Sequence, residues 1–129
     1  MDNKLFEHLN ELSEEIHADQ VAKGFYDTPR EDGTLLMLIN SELCEAMEAL
    51  RHNKYSNIEQ FEYYYEHSEN KDFKTLFENN IKDTHEDEIV DALIRIFDYA
   101  AYKKIDLAWH TIHKLQYNAL RPYKHNKKF

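Results

Sequence analysis

Apolar residues recur at helical spacing along most of this chain. Leu5, Phe6, Leu9, Leu12 and Ile16, with acids and amides between them, predict an amphipathic helix from Leu5 to about Ala22. The next segment, KGFYDTPREDG from Lys23 to Gly33, holds both glycines and one of the two prolines, and therefore reads as an ordered connection. Thr34 is positioned to cap a second helix reaching about Arg51, with Leu36, Ile39, Leu43, Met47 and Leu50 as its apolar stripe. Ser56-x-x-Glu59 has the form of a capping box and opens a short aromatic helix, IEQFEYYYEH. A second short piece, Phe73 to Phe77, precedes Thr84-x-x-Asp87, a further cap signal. From about His85 to Lys104 the residues Ile89, Leu93, Ile96, Phe97 and Ala100 are expected to face a core. Asp106 can cap a last helix from Leu107 to about Leu120, which Pro122 closes.

The pattern predicts an all-α, four-helix bundle-like domain with a short helical insert between the second and third main helices. At 129 residues the chain has room for one domain, so residues 1–129 are expected to form a single unit. Two glycines and two prolines are too few for the turns of an all-β or βαβ architecture.

Charge narrows the choice of partners. A net charge of -9 disfavours polynucleotide binding, because that affinity depends on Lys and Arg displacing counterions from phosphates. No apolar run reaches the roughly 20 residues of a membrane span, and MDNKLFEHLN lacks the apolar core of a signal peptide. A soluble, cytoplasmic protein is expected. The single Cys44 excludes an internal disulfide and reads as a small core residue in a reducing compartment.

The chemistry lies in two pairs of acids, Glu42-x-x-Glu45 and Glu88-x-x-Asp91. A spacing of three puts both members of a pair on one side of a helix, where one ion can touch both. Like charges gathered beside apolar stripes are unfavourable unless something compensates them, and a hard divalent cation does so. All-oxygen ligands suit Mg²⁺, Mn²⁺ or Ca²⁺ better than Zn²⁺, and Mg²⁺ is favoured. A di-iron carboxylate bundle is a weaker alternative: Glu14-x-x-His17 supplies one Glu-x-x-His element, and no second accompanies it. Solvated acids on a non-enzymatic helical binding module form the other alternative. Near the end of the last helix Lys114, Asn118 and Arg121 share a face, so two cations and an amide are available to phosphate oxygens.

The segments LMLINSELCEAMEALR, EDEIVDALIRIFDYA and HKLQYNALRPYKHNKKF together resemble the MazG-like nucleotide pyrophosphohydrolases, the all-α NTP pyrophosphatase superfamily that includes dimeric dUTPases and dCTP pyrophosphatases. The resemblance runs from about Lys23 to Phe129 and leaves the insert unmatched. About forty residues separate Glu45 from Glu88, a longer gap than the family usually has. The resemblance implies Mg²⁺-dependent hydrolysis of a nucleoside triphosphate, a dNTP or modified NTP, to the monophosphate and pyrophosphate, with Mn²⁺ as a substitute metal. It also implies that Glu42, Glu45, Glu88 and Asp91 ligate the metal and that Lys114, Asn118 and Arg121 contact phosphates. Glu45 is the marginal choice for the catalytic base. His17, Lys23, Phe25 and Arg30 occupy the region where relatives commonly contact nucleotide. Relatives assemble as dimers or dimers of dimers, and a chain with four amphipathic helices and abundant Tyr and Phe has apolar surface to cover, so a homodimer is expected.

Overall fold

A computed structural model describes residues 3–69 and 72–128. Six α-helices account for nearly all of its regular structure: α1 (Asn3–Ala22), α2 (Asp32–Arg51), α3 (Ile58–His67), α4 (Phe73–Asn80), α5 (His85–Tyr102) and α6 (Leu107–Ala119). A 3-10 turn, Tyr123–Asn126, follows α6, and no strand occurs among the described residues. The all-α class expected from the pattern is therefore observed. No helix among the described residues is long and apolar enough to cross a membrane.

The chain divides into two compact units, one made of residues 1–28 and 97–129, the other of residues 29–96. In the first, α1 is fastened to α6 by polar groups. Asp106 caps α6 by accepting from Trp109 N–H at 3.0 Å, and it also accepts from Asn10 Nδ2 at 2.9 Å. The hydrogen bond from Asn10, then that from Trp109 N–H, holds the Asp106 carboxyl below its ordinary range. The same asparagine accepts from Ala108 N–H, and buried Ser13 donates to the carbonyl of Phe97. Phe97, Ala100 and Ala108 supply this unit's buried apolar positions.

In the second unit the buried apolar residues are Leu35, Ala46, Ala49 and Ala92. This reverses the expectation for α2: Leu36, Leu43, Met47 and Leu50 are exposed, and Ile39 is half-buried. On α5, Phe97 and Ala100 are buried as expected, but Ile89, Leu93 and Ile96 are exposed. The buried apolar positions on the facing sides are mostly the small side chains Ala46, Ala49 and Ala92, and the bulky arcs are turned outward. Cys44, expected in a core, is likewise exposed.

Helix ends follow local chemistry. At the ends of α1, α2 and α5, residues Gly24, Asn53 and Lys104 adopt left-handed φ angles of 88°, 54° and 56°. In each case the next amide bonds back five residues, as in Phe25 N–H to Gln20 O, Lys54 N–H to Ala49 O and Ile105 N–H to Ala100 O. These are Schellman closures. At the start of α2 the N-cap position is Glu31, and Thr34 lies inside the first turn. The cap of α3 is Asn57, whose Oδ1 accepts from Gln60 N–H at 3.0 Å, so the expected Ser56 box is displaced by one residue. Ser56 instead donates its backbone N–H to Glu86 Oε2 at 2.8 Å.

That bond and the one from His85 N–H to Lys54 O tie the insert to the start of α5, and within the insert Asn57 N–H donates to Asn80 O. Between these ties α3 and α4 pair through aromatic rings: Phe73 meets Phe61 edge-on at 5.6 Å and stacks on Phe77 at 5.8 Å. The insert is a closed helical hairpin.

Candidate metal and nucleotide site

Glu42 lies on the inner face of α2, among Leu35, Ala46 and Ala49, so the helix that buries small residues also buries an acid. Glu88 lies near the start of α5 and is 5% exposed. Glu45, three residues beyond Glu42, is exposed. One carboxylate oxygen from each of Glu42, Glu45 and Glu88 lies within 4.8 Å of the others. Asp91, a turn further along α5, is half-buried.

Burial works against ionisation of Glu42, but a hydrogen bond from Arg95, with further ones involving Glu45 and Glu88, leaves its pKa below the ordinary value. Glu88 goes the other way. Burial first, then hydrogen bonding with Glu45 and Glu42 and the charges of Glu45 and Asp91, pushes its pKa up to about 8. Asp91 is also raised, by burial and then by the charges of Asp87 and Glu42. One oxygen of Glu88, Oε2, is buried with no hydrogen-bond partner. A buried carboxylate oxygen without a donor is costly, and a hard cation satisfies it. The donor set is entirely oxygen and entirely acidic, so the residues fit Mg²⁺ or Mn²⁺.

Arg95 was not singled out by its sequence, and its Nε donates to Glu42 Oε1 at 2.8 Å. The signal was present, because Arg95 follows Asp91 by four residues and Glu88 by seven, which places it on the same side of α5. Glu88 also belongs to a second acidic group with Asp83 and Asp87. There Asp83, with φ of 62°, gives its N–H to Asp87 Oδ2 at 3.0 Å.

The remaining candidates are distributed between the units. Lys114 and Asn118 are on α6 and Arg121 follows it, all in the first unit. Lys114 Nζ and Arg121 Cζ lie 5.1 and 5.9 Å from the centre of the Tyr117 ring, which gathers the two cations around one aromatic ring. The Oδ1 of Asn118 is buried without a partner. Turned by half a rotation, that amide offers Nδ2, the donor a phosphate oxygen requires.

His17 is on α1, and its Nδ1 donates to Asp98 Oδ1 at 2.8 Å. Tyr26 donates to the other oxygen of Asp98 at 2.7 Å and meets the His17 ring edge-on at 4.7 Å. His17 is thus held in an internal network with Asp98 and Tyr26, two residues the sequence did not bring forward. Lys23 and Phe25 are exposed at the turn after α1. Arg30 is half-buried in the segment before α2.

Compared with known proteins, the chain gives no match to a family model, a curated sequence or a solved structure.

Proposed function

We propose that this protein is a Mg²⁺-dependent nucleoside triphosphate pyrophosphohydrolase of MazG type, acting on a dNTP or modified NTP and releasing the monophosphate and pyrophosphate. The observation that carries the reading is the convergence of Glu42, Glu45 and Glu88 within 4.8 Å, with an oxygen of Glu88 buried and unpaired. Glu42, Glu45, Glu88 and Asp91 would hold the ion, and Mn²⁺ would substitute. When bound, the metal neutralises the triphosphate and lowers the pKa of a water.

Glu45 is exposed, whereas Glu42 and Glu88 are buried, and this favours Glu45 as the base that orients water for in-line attack on phosphorus. The water's oxygen forms the new bond, its proton passes to the carboxylate, and the bridging oxygen leaves with pyrophosphate. Lys114, Asn118 and Arg121 are assigned the phosphate contacts, on the resemblance and on the pairing of their cations around Tyr117. The apolar side chains left exposed on α2 and α5 support a homodimer or dimer of dimers built from a four-helix MazG-type core. A nucleotide-pool role in the cytoplasm completes the reading.

One observation favours a second reading, a non-enzymatic module: the Arg95–Glu42 pair already balances one acid without metal. A panel of canonical and modified NTPs and dNTPs with Mg²⁺, assayed for pyrophosphate, separates the two. Release by the wild type that Glu45→Gln abolishes supports the enzyme. Release from no nucleotide leaves the binding module.

A further inference from the structure

The insert hairpin has no place in the reading above, yet it walls a cavity of about 510 Å³ against α5. Phe73 and Phe77 of α4 line one side, and Val90 and Ile94 of α5 line the other. Asp91, one of the four acids assigned to the metal, lines the same cavity, with Asp87 beside it. All of these residues belong to one compact unit. The volume falls within the range of small-molecule sites, which are mostly apolar with a few polar groups that fix orientation.

Phe73 is 58% exposed, although its ring packs against Phe61 and Phe77. An aromatic ring fixed by neighbours and still open to solvent is a stacking platform. The charged groups nearby argue against an anionic occupant. Lys74 is within ion-pair distance of Glu78, Lys82 is within that distance of Asp83, and the remaining carboxylates of Asp87 and Asp91 only accept hydrogen bonds when ionised. A flat neutral heterocycle with an amino group fits both the rings and the acceptors. Such a ring would reach the cavity if its phosphates were held at the acids, because Asp91 is common to both places.

We propose that the α4–α5 cavity is the nucleobase subsite, with Phe73 stacking on the base and the acidic wall favouring adenine, cytosine or guanine over uracil or thymine. This rests on the pyrophosphohydrolase reading for its substrate, and it gives the long insert its function as the specificity element.

Photo-crosslinking tests it without requiring turnover. The intact protein is irradiated with Mg²⁺ and an α,β-methylene triphosphate bearing 8-azidoadenine, and labelled peptides are mapped by mass spectrometry. Label within residues 72–94 is expected; label confined to residues 17–30, or no label in 72–94, overturns the inference. Kinetics form the second arm. Phe73→Ala removes the platform and Val90→Trp fills the cavity without touching the hairpin's own packing. Each should raise KM for dATP or dCTP about tenfold, while hydrolysis of a base-free triphosphate ester changes less than about twofold. Equal effects on both substrates, unchanged KM in a Val90→Trp protein of normal melting temperature, or a preference for dUTP would also overturn it. If the wild type hydrolyses nothing while the label still maps to 72–94, the enzymatic reading fails and the base subsite stands.

Discussion

Arg95 Nε donates to Glu42 Oε1 at 2.8 Å, so a cation of the chain itself occupies an oxygen that a metal would claim. The pair is partly open, with the Arg95 side chain 40% exposed, and its contribution to stability is correspondingly discounted. Arg95→Gln should lower stability of the metal-free protein by about 1 kcal/mol, a fall of a few degrees in melting temperature. With the competitor removed, Mg²⁺ should stabilise the variant more than it stabilises the wild type. Differential scanning fluorimetry with and without Mg²⁺ reads both effects. Equal Mg²⁺ shifts in the two proteins would separate Arg95 from the metal site.

Glu88 makes the metal-free protein sensitive to pH. Its folded pKa, about 8, stands above the ordinary 4.5, so between these values the folded chain keeps a proton that the unfolded chain has lost. The contribution is favourable to folding at low pH and is progressively lost as pH rises from about 4.5 to about 8. Its ceiling is on the order of 5 kcal/mol. Without metal the wild type should melt several degrees lower at pH 8 than at pH 6. Glu88→Gln should flatten that dependence and abolish activity. A flat melting profile in the wild type would contradict the burial of an ionisable Glu88.

The same proton reports on metal binding. At pH 7 Glu88 is still mostly protonated, and a cation requires the carboxylate. Mg²⁺ binding should therefore release about one proton at pH 7 and much less at pH 9. Isothermal titration in two buffers of different ionisation enthalpy gives the number directly. No release at pH 7, together with clear binding, would place the ion elsewhere.

Asp98 accepts from both His17 and Tyr26 in the first unit. Asp98→Ala removes the carboxylate that two part-buried side chains share, at a cost of about 2 kcal/mol. Urea unfolding should show a lower midpoint with an unchanged slope. Full wild-type stability in this variant would mean that water replaces the carboxylate without loss.

Much of this was legible before the structure. Helix positions followed from apolar periodicity, and Asp106 and Gly24 marked real ends, because Asp caps and left-handed glycine are local chemistry. The helix end near Lys104 was read from where the apolar pattern stops, although the left-handed turn there is favoured by the closure around it and not by the Lys side chain. The acid pairs were legible because a three-residue spacing fixes a face; their convergence was not, because it depends on the small residues Ala46, Ala49 and Ala92 being buried. The same fact misled the reading of the stripes. Periodicity identifies an apolar arc, but it does not say whether that arc meets its own chain or another.

That question yields the last prediction. Leu36, Leu43, Met47 and Leu50 on α2, with Ile89, Leu93 and Ile96 on α5, are each 40% exposed or more, and all belong to one unit. Such surface is far more apolar than a soluble monomer normally leaves in water, and a second copy would cover it. Light scattering should give a mass of twice 15.6 kDa, or a multiple of that, at micromolar concentration. Leu43→Asp sets a charge in the middle of the α2 arc and replaces none of the acids, so it should shift the protein to monomer while far-ultraviolet circular dichroism keeps its helical signal. Glu42 and Glu45 flank Leu43 on the same helix, so assembly and activity should fall together if the second copy steadies α2. A wild type that is monomeric at high concentration would sink the dimer. It would also leave the exposed leucines needing a different partner.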